Sequence, residues 1–189
     1  MVLLSQDEAR FSMIPTLQTT LGLKGHRPVV GNWDGHDVVD VFGALNLVTG
    51  HLRTRIVERP RASSGQRPLQ AAFVRHLRDL ARTYPATRYP RVVLVIDNAP
   101  WHKGALSTAW LKHLPHLELY RLPSDSPQLQ VIERFWKVLR RRATHNRLFS
   151  AVAALKRALR HSLCYDQTLK HRVLAIIQAP NKRTKLSAA

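Results

Sequence analysis

Hydrophobic and polar positions along the chain alternate between two periods. "MVLLSQ" reads as a short strand ending at Asp7, and after the polar connection "GLKGHRP" the segment "DVVDVFGALNLVTGHLRTRIVE" offers two β-rich runs. They flank "NLVTG", where Thr49 and Gly50 mark a hairpin turn. Residues 59 to 68, rich in Pro, Ser, Gly and Arg, form an exposed connector. Beyond it Leu69, Phe73, Leu77 and Leu80 fall at helical spacing, with Arg75, Arg78 and Arg82 elsewhere on the wheel. "RVVLVI" is an unbroken β-branched run bounded by Pro90 and Asp97, the pattern of an interior strand covered on both faces. A second helix over roughly Ala105 to His113 and a strand at "LELYRLP" follow. "SDSP" then starts a helix with Ser126 at N-cap and Pro127 at N1. In that helix Ile132, Phe135, Trp136 and Leu139 make the apolar stripe and Arg134, Lys137, Arg140, Arg141 and Arg142 take the other faces. "SAVAALKRALRHSL" is a further helix.

This order predicts an α/β domain, a mixed central sheet flanked by helices, over residues 1 to 178, with residues 179 to 189 as a basic flexible tail. The chain length suits one well-buried core.

Charge changes the picture. The chain carries 30 Lys and Arg against 12 Asp and Glu, a formal charge of +18, which suits a polyanionic partner. A solvated basic coat would give the same total, so charge names a partner class and no reaction. Cys164 is the single cysteine, which excludes an internal disulfide and fits a reducing cytoplasm. The N-terminus lacks a basic n-region, and the apolar runs are too short to span a bilayer. His113 and His116 in "HLPH" lack partner ligands and read as surface loop.

With few acids available, the positions of three stand out. Asp7 closes the first strand, Asp97 closes the apolar interior strand, and Glu133 lies near the start of the helix after "LPSDSP". Strand ends are where ligands gather in open α/β sheets. Three converging carboxylates supply the hard oxygen donors that Mg²⁺ or Mn²⁺ prefers. Two ions about 3.5 to 4 Å apart would activate the attacking oxygen and stabilise the leaving oxygen of a phosphodiester. Each acid also has a plainer reading. Asp97 and Asn98 suit a turn, Glu133 can pair with Lys137 one helical turn on, and Asp7 beside Glu8 can be solvated charge. His102 can pack or hydrogen-bond in a loop, and Trp101 suits the core better than a base-stacking platform.

"VLVIDNAPWHKG" followed by "LELYRLPSDSPQLQVIERFWKVLRRR" resembles the catalytic region of the DDE transposases, in the bacterial insertion-sequence branch of the mariner superfamily. The matching positions are Asp97, Asn98, His102, Leu122, Pro123, Ser126, Pro127, Leu129, Ile132 and Glu133, in order. Upstream, "QDEARFSM", "KGHRPVV" and "VFGALNLVTG" resemble the family's first-acid segment, its connection and its hairpin, so Asp7 matches the first acid. Gln130, Val131 and Asp125 depart from the usual pattern.

The resemblance implies an RNase H-like fold and a catalytic, metal-holding triad of Asp7, Asp97 and Glu133 with Mg²⁺ or Mn²⁺, as a pair of ions. It also implies DNA hydrolysis followed by strand transfer from the freed 3′-hydroxyl. Asn98, His102, Arg134, Lys137, Arg140 and Arg141 are the candidates to support those acids or contact DNA. Relatives carry helix-turn-helix modules upstream, whereas Met1 stands only a few residues before Asp7. The expectation is therefore a catalytic part completed by an upstream-encoded helix-turn-helix polypeptide, or a remnant of one, acting in the cytoplasm and as a homodimer. A non-catalytic or domesticated nucleic-acid-binding protein is the alternative. Hybrid hydrolases and junction resolvases place their acids in other local contexts.

Overall fold

The computed structural model describes residues 1–26, 28–31, 37–59, 67–123 and 129–179. Its strands are β1 (Val2–Ser12), β2 (Val38–Asn46), β3 (Leu52–Arg59), β4 (Val92–Ile96) and β5 (Leu117–Arg121). Its helices are α1 (Arg67–Thr83), α2 (Ala105–Leu111), α3 (Ile132–Ala143), α4 (Val152–Thr168) and α5 (Lys170–Gln178), with one 3-10 turn at Pro100–His102. The five strands form one sheet in the order β3-β2-β1-β4-β5. β1 to β3 pair antiparallel, while β4 joins β1, and β5 joins β4, in parallel. The mixed sheet with flanking helices is the one the sequence predicts.

The alternation of side chains along the strands divides the core in two. Leu4, Phe42, Leu94 and Ile96 face α1, where Phe73, Leu77 and Leu80 complete a buried cluster. Ala9, Phe11, Val41 and Leu45 face the other way, against Ile132, Phe135, Trp136 and Leu139 of α3 and Leu155, Leu159 and Leu163 of α4. Both apolar stripes read from the sequence are therefore core. Trp101 packs, partly buried, against the α1-side cluster.

Several expectations need correction. β1 does not end at Asp7 but continues to Ser12, because β2 pairs with it across Asp7↔Gly43 and on to Ser12↔Val38. β4 lies inside the sheet, yet Val93 and Val95 are only half-buried while Val92, Leu94 and Ile96 are buried, so one face alone is fully covered. The reason is that α3 and α4 pack over β1, β2 and β3, leaving the same face of β4 more open. The last helical region extends further than expected, since α4 runs to Thr168 and α5 follows after a break at Leu169. Ser126 and Pro127, with Asp125, and the residues from 180 on lie outside the described residues, but the expected N-cap at Ser126 and N1 at Pro127 are not those of α3, which starts at Ile132 with Val131 as its N-cap. Among the described residues no helix is long and apolar enough to cross a membrane.

The hairpin turn forms where the sequence places it. Asn46 Oδ1 accepts hydrogen bonds from the backbone N–H of Val48 and Thr49, and Gly50 takes a φ of +69° that few side chains tolerate.

A second glycine matters for the site. Gly43 lies opposite Asp7 in β2, and a Cβ there would come within 2.5 Å of the Trp136 ring. Gly43→Ala should therefore lower the unfolding free energy by about 1 to 3 kcal/mol through overpacking, read from urea denaturation. An unchanged midpoint would mean that Trp136 withdraws from β1 at no cost.

Candidate active site

Asp7 and Glu8 are neighbours in β1 and so point to opposite faces of the sheet. Asp7 faces α3, where its Oδ2 accepts a hydrogen bond from Trp136 Nε1 at 3.1 Å. The parallel pairing of β1 with β4 brings Ser5 beside Val95, and two residues further along each strand come Asp7 and Asp97. Burial raises the Asp7 pKa to about 7, and the negative charges of Glu8, Asp97 and Glu133 add to that rise, against a backbone hydrogen bond from Glu8. Half-protonated near neutrality, this carboxyl lacks a cation partner among the described residues.

Glu8 faces the other way and has found one. His102 Nε2 lies 3.0 Å from Glu8 Oε1, and His102 Nδ1 lies 3.1 Å from Asp97 Oδ1, so the fully buried imidazole bridges two carboxylates. Burial opposes charge on that ring, but the hydrogen bonds and charges of Asp97 and Glu8 outweigh it and raise the His102 pKa to about 9. The same hydrogen bond from His102 holds Asp97 below the usual carboxylate range, against a smaller opposing effect of burial and with help from Ala99 N–H. Donor atoms of Glu8, Asp97 and His102 lie within 4.8 Å of one another, a spacing that a metal ion could use. With the ring protonated the cluster is an ion-paired imidazolium, and a metal here would first have to displace a proton from His102. Both contacts to Asp97 among the described residues fall on Oδ1.

Glu133 enters in the first turn of α3. It lines a cleft of about 340 Å³ together with Asp7, Glu8, Trp136, Lys137 and Arg140. Asp97, just past the end of β4, does not line that cleft, though its charge is close enough to add to the rise of the Asp7 pKa. Gln130, just ahead of α3, is buried and pins this helix start to β1: Ser5 Oγ donates to its Oε1 at 3.3 Å, and its Nε2 donates to the Gln6 carbonyl at 2.9 Å. Glu133 also has the ion pair that the sequence allows, with Lys137 Nζ at 4.0 Å. With both side chains substantially exposed, that pair contributes little.

The supporting candidates divide. Lys137 and Arg140 line the cleft, and His102 orients Asp97. Asn98 is a structural pin, its Nδ2 donating to Leu122 O at 2.7 Å to join the ends of β4 and β5. Arg134 is engaged in capping α5, donating from Nη1 to the carbonyls of Ile177 and Ala179. Arg141 does not line the cleft and lines a different groove. The sequence reading missed the partnerships of Glu8, Gln130 and Trp136. Alternation in a strand that runs through Asp7 would have separated Asp7 from Glu8. Nothing in the sequence shows Trp136 or Gln130 reaching β1.

Comparison with known proteins identifies the family and the fold. The DDE superfamily endonuclease family model matches residues 2–156. A curated relative, the insertion element IS630 uncharacterized 39 kDa protein of Shigella sonnei, is 26% identical over 156 residues, which is 82% of this chain and 43% of the relative. Among solved structures, the mariner Mos1 paired-end complex with Mg is similar at a TM-score of 0.64 and 17% identity, covering 93% of this chain and 53% of that one. The catalytic domain of Mos1 mariner transposase is similar at a TM-score of 0.62 and 15% identity, over 93% of this chain and 76% of that one. At such identity the likeness is one of fold, the RNase H-like arrangement. The chain spans less than half of the curated relative.

The imidazolium bridge has a pH signature. The folded pKa of His102, about 9, lies above its ordinary 6.5, so its favourable contribution is complete below about 6.5 and is lost as pH rises through 9. Asp7, raised to about 7, titrates lower and leaves the upper window to His102. Stability by chemical denaturation should therefore fall between about pH 7 and 9, and His102→Gln should start lower and flatten that fall. An identical slope in the variant would contradict the bridge.

Proposed function

Because this chain belongs to the DDE superfamily endonucleases, we propose that it is the catalytic part of a transposase in which Asp7, Asp97 and Glu133 hold the metal. Its reaction would be hydrolysis of a DNA phosphodiester, in which water oxygen bonds to phosphorus and the 3′ oxygen leaves. The freed 3′-hydroxyl oxygen would then bond to phosphorus of a target phosphodiester and expel that target's own 3′ oxygen, which leaves as a hydroxyl.

The observation that carries this reading is that Asp7 and Glu133 line one cleft with Lys137 and Arg140, with the charges of Glu8, Asp97 and Glu133 near enough to help burial raise the Asp7 pKa. His102 offsets the charge on the Glu8 side, while the α3 side keeps an excess of carboxylate oxygen facing a cleft. Hard oxygen donors of this kind fit Mg²⁺ or Mn²⁺. The chemistry that one or two such ions supply when bound is Lewis-acid activation of the attacking oxygen and stabilisation of the leaving one.

The chain's own residues provide orientation. Trp136 fixes one oxygen of Asp7, and His102 with Ala99 N–H fixes Oδ1 of Asp97. Gln130 fixes the start of the helix that carries Glu133. Lys137 and Arg140 set positive charge at the rim, where a DNA phosphate would approach. Recognition of transposon ends falls to an upstream-encoded helix-turn-helix polypeptide in this reading, and the assembly is a homodimer acting in the cytoplasm. Residues 1 to 178 act as the catalytic domain and the basic residues from 179 on as a tail.

The net charge of +18 also suits a protein that binds nucleic acid without cutting it. Asp97→Asn separates the two readings, since it preserves shape and removes the charge that would hold a cation. Nicking of supercoiled plasmid in Mg²⁺ or Mn²⁺, measured with any upstream partner supplied, should fall to background while DNA affinity in chelator stays the same or rises. Wild type that nicks no better than Asp97→Asn would leave only the binding protein.

A further inference from the structure

The acidic cleft lies at the start of α3, and a second groove of about 530 Å³ lies at its far end. That groove is lined by Gln18, Thr19, Thr20, Arg141, His145, Asn146 and Arg147. It joins the loop after β1 to the turn after α3, and its walls are held together through one residue. Asn146 sits at a φ of 55°, a left-handed conformation that Asn tolerates better than most residues. Its Oδ1 accepts from Gln18 N–H at 2.9 Å, its Nδ2 donates to Gln18 O at 3.0 Å, and its own N–H donates to Thr16 O at 3.1 Å. Three hydrogen bonds from a single residue thus hold Thr19 and Thr20 opposite the end of α3.

Every ionisable side chain on this lining is basic. Arg141 and Arg147 are exposed, and no carboxylate pairs with either among the described residues. His145 Nδ1 is buried without a hydrogen-bond partner there. Burial, then the charges of Arg140 and Arg141, keep the His145 pKa below its ordinary value, a sign that positive charge at this end of the helix is uncompensated. Two threonine hydroxyls, an uncharged imidazole and two unpaired guanidinium groups make a site for a phosphate, with donors for its oxygens and charge to match.

The groove is also aligned with the cleft. Glu133, Lys137, Arg140 and Arg141 recur at i, i+4, i+7 and i+8, on one stripe of α3, with Arg140 at the cleft and Arg141 at the groove. At 1.5 Å per residue, the eight to ten residues of helical rise between Glu133 and the last turn of α3 put the groove about 12 to 15 Å along the helix. Along duplex DNA, at about 3.4 Å per base pair, this is roughly four base pairs.

We propose that this groove is a DNA-phosphate site that holds the backbone about four base pairs from the bond seated at the acidic cleft. The proposal rests on the nuclease reading for what occupies the cleft, and on the groove's own residues for the contact. It gives the chain a way to set the direction of DNA across α3 with its own residues.

The test compares charge-matched variants for affinity to a short duplex oligonucleotide in chelator, across a series of salt concentrations. Arg141→Gln with Arg147→Gln should weaken binding about tenfold or more near 0.1 M salt and make the slope of log K against log salt shallower by about 1.8, the value for two lost phosphates. Arg75→Gln with Arg157→Gln, which removes the same charge from exposed positions on α1 and α4, should change the slope by much less. Asn146→Gly keeps the left-handed backbone and the charge but removes both side-chain hydrogen bonds to Gln18, and should cost several-fold in affinity. Equal losses in the two arginine pairs, or an Asn146→Gly protein with wild-type affinity, would overturn the site. These readouts need no catalysis. Nicking that vanishes in Asp97→Asn while the groove variants bind like wild type would reject the groove and keep the nuclease; the reverse result would keep the groove and reject the nuclease.

Discussion

Carboxylates brought together at one end of a sheet repel one another, and burial strengthens the repulsion by removing the water that would screen it. β1 and β4 impose this on Asp7, Glu8 and Asp97, and α3 adds Glu133. The two faces of the sheet respond differently. On the α1 face a buried imidazolium lies between Glu8 and Asp97 and balances them with a charge the chain carries itself. On the α3 face Asp7 receives one neutral N–H from Trp136, and its pKa is raised to about 7. A structural cluster balances its own charge; one that leaves a carboxyl unbalanced beside an open cleft is suited to a cation from solution.

The remaining packing keeps this arrangement in place. Gly43 leaves space for the Trp136 ring against β1, and Gln130 fastens the approach to α3 onto the same strand. Further along α3, Arg134 caps the end of α5, and Arg142 pairs with the buried Asp166 of α4. Glu133 is therefore borne by a helix tied to a strand at one end and to two helices along its length. Rigid mounting of this kind is what a metal-holding carboxylate requires.

Most of the architecture was legible because it is written in local periodicity. The stripes Leu69, Phe73, Leu77, Leu80 and Ile132, Phe135, Trp136, Leu139 state which helix faces are buried, and Asn46 to Gly50 state the turn. The end of β1 was not legible, since the polar run from Gln6 to Glu8 looks like a loop until β2 pairs with it. The last turn of α4 and the whole of α5 lie beyond the helix read at "SAVAALKRALRHSL", because their apolar positions are only weakly patterned. At the site, the spacing and context of Asp7, Asp97 and Glu133 carried the family pattern, but the partners that distinguish one acid from another come from distant residues. His102 is 94 positions from Glu8, and Trp136 is 129 from Asp7. Gln130, a departure from the family pattern in sequence, proves to fasten the approach to α3 onto β1.

The central claim is that the cation site is shared by Asp7, Glu133 and the Asp97 oxygen that His102 does not contact, and lies outside the bridge that His102 makes between Glu8 and Asp97. Anomalous diffraction from crystals soaked in Mn²⁺ tests it most directly. The account predicts anomalous density among Asp7, Asp97 and Glu133, with His102 still bridging Glu8 and Asp97. Density centred between Glu8, Asp97 and His102, or none near Asp7 at millimolar Mn²⁺, would contradict it.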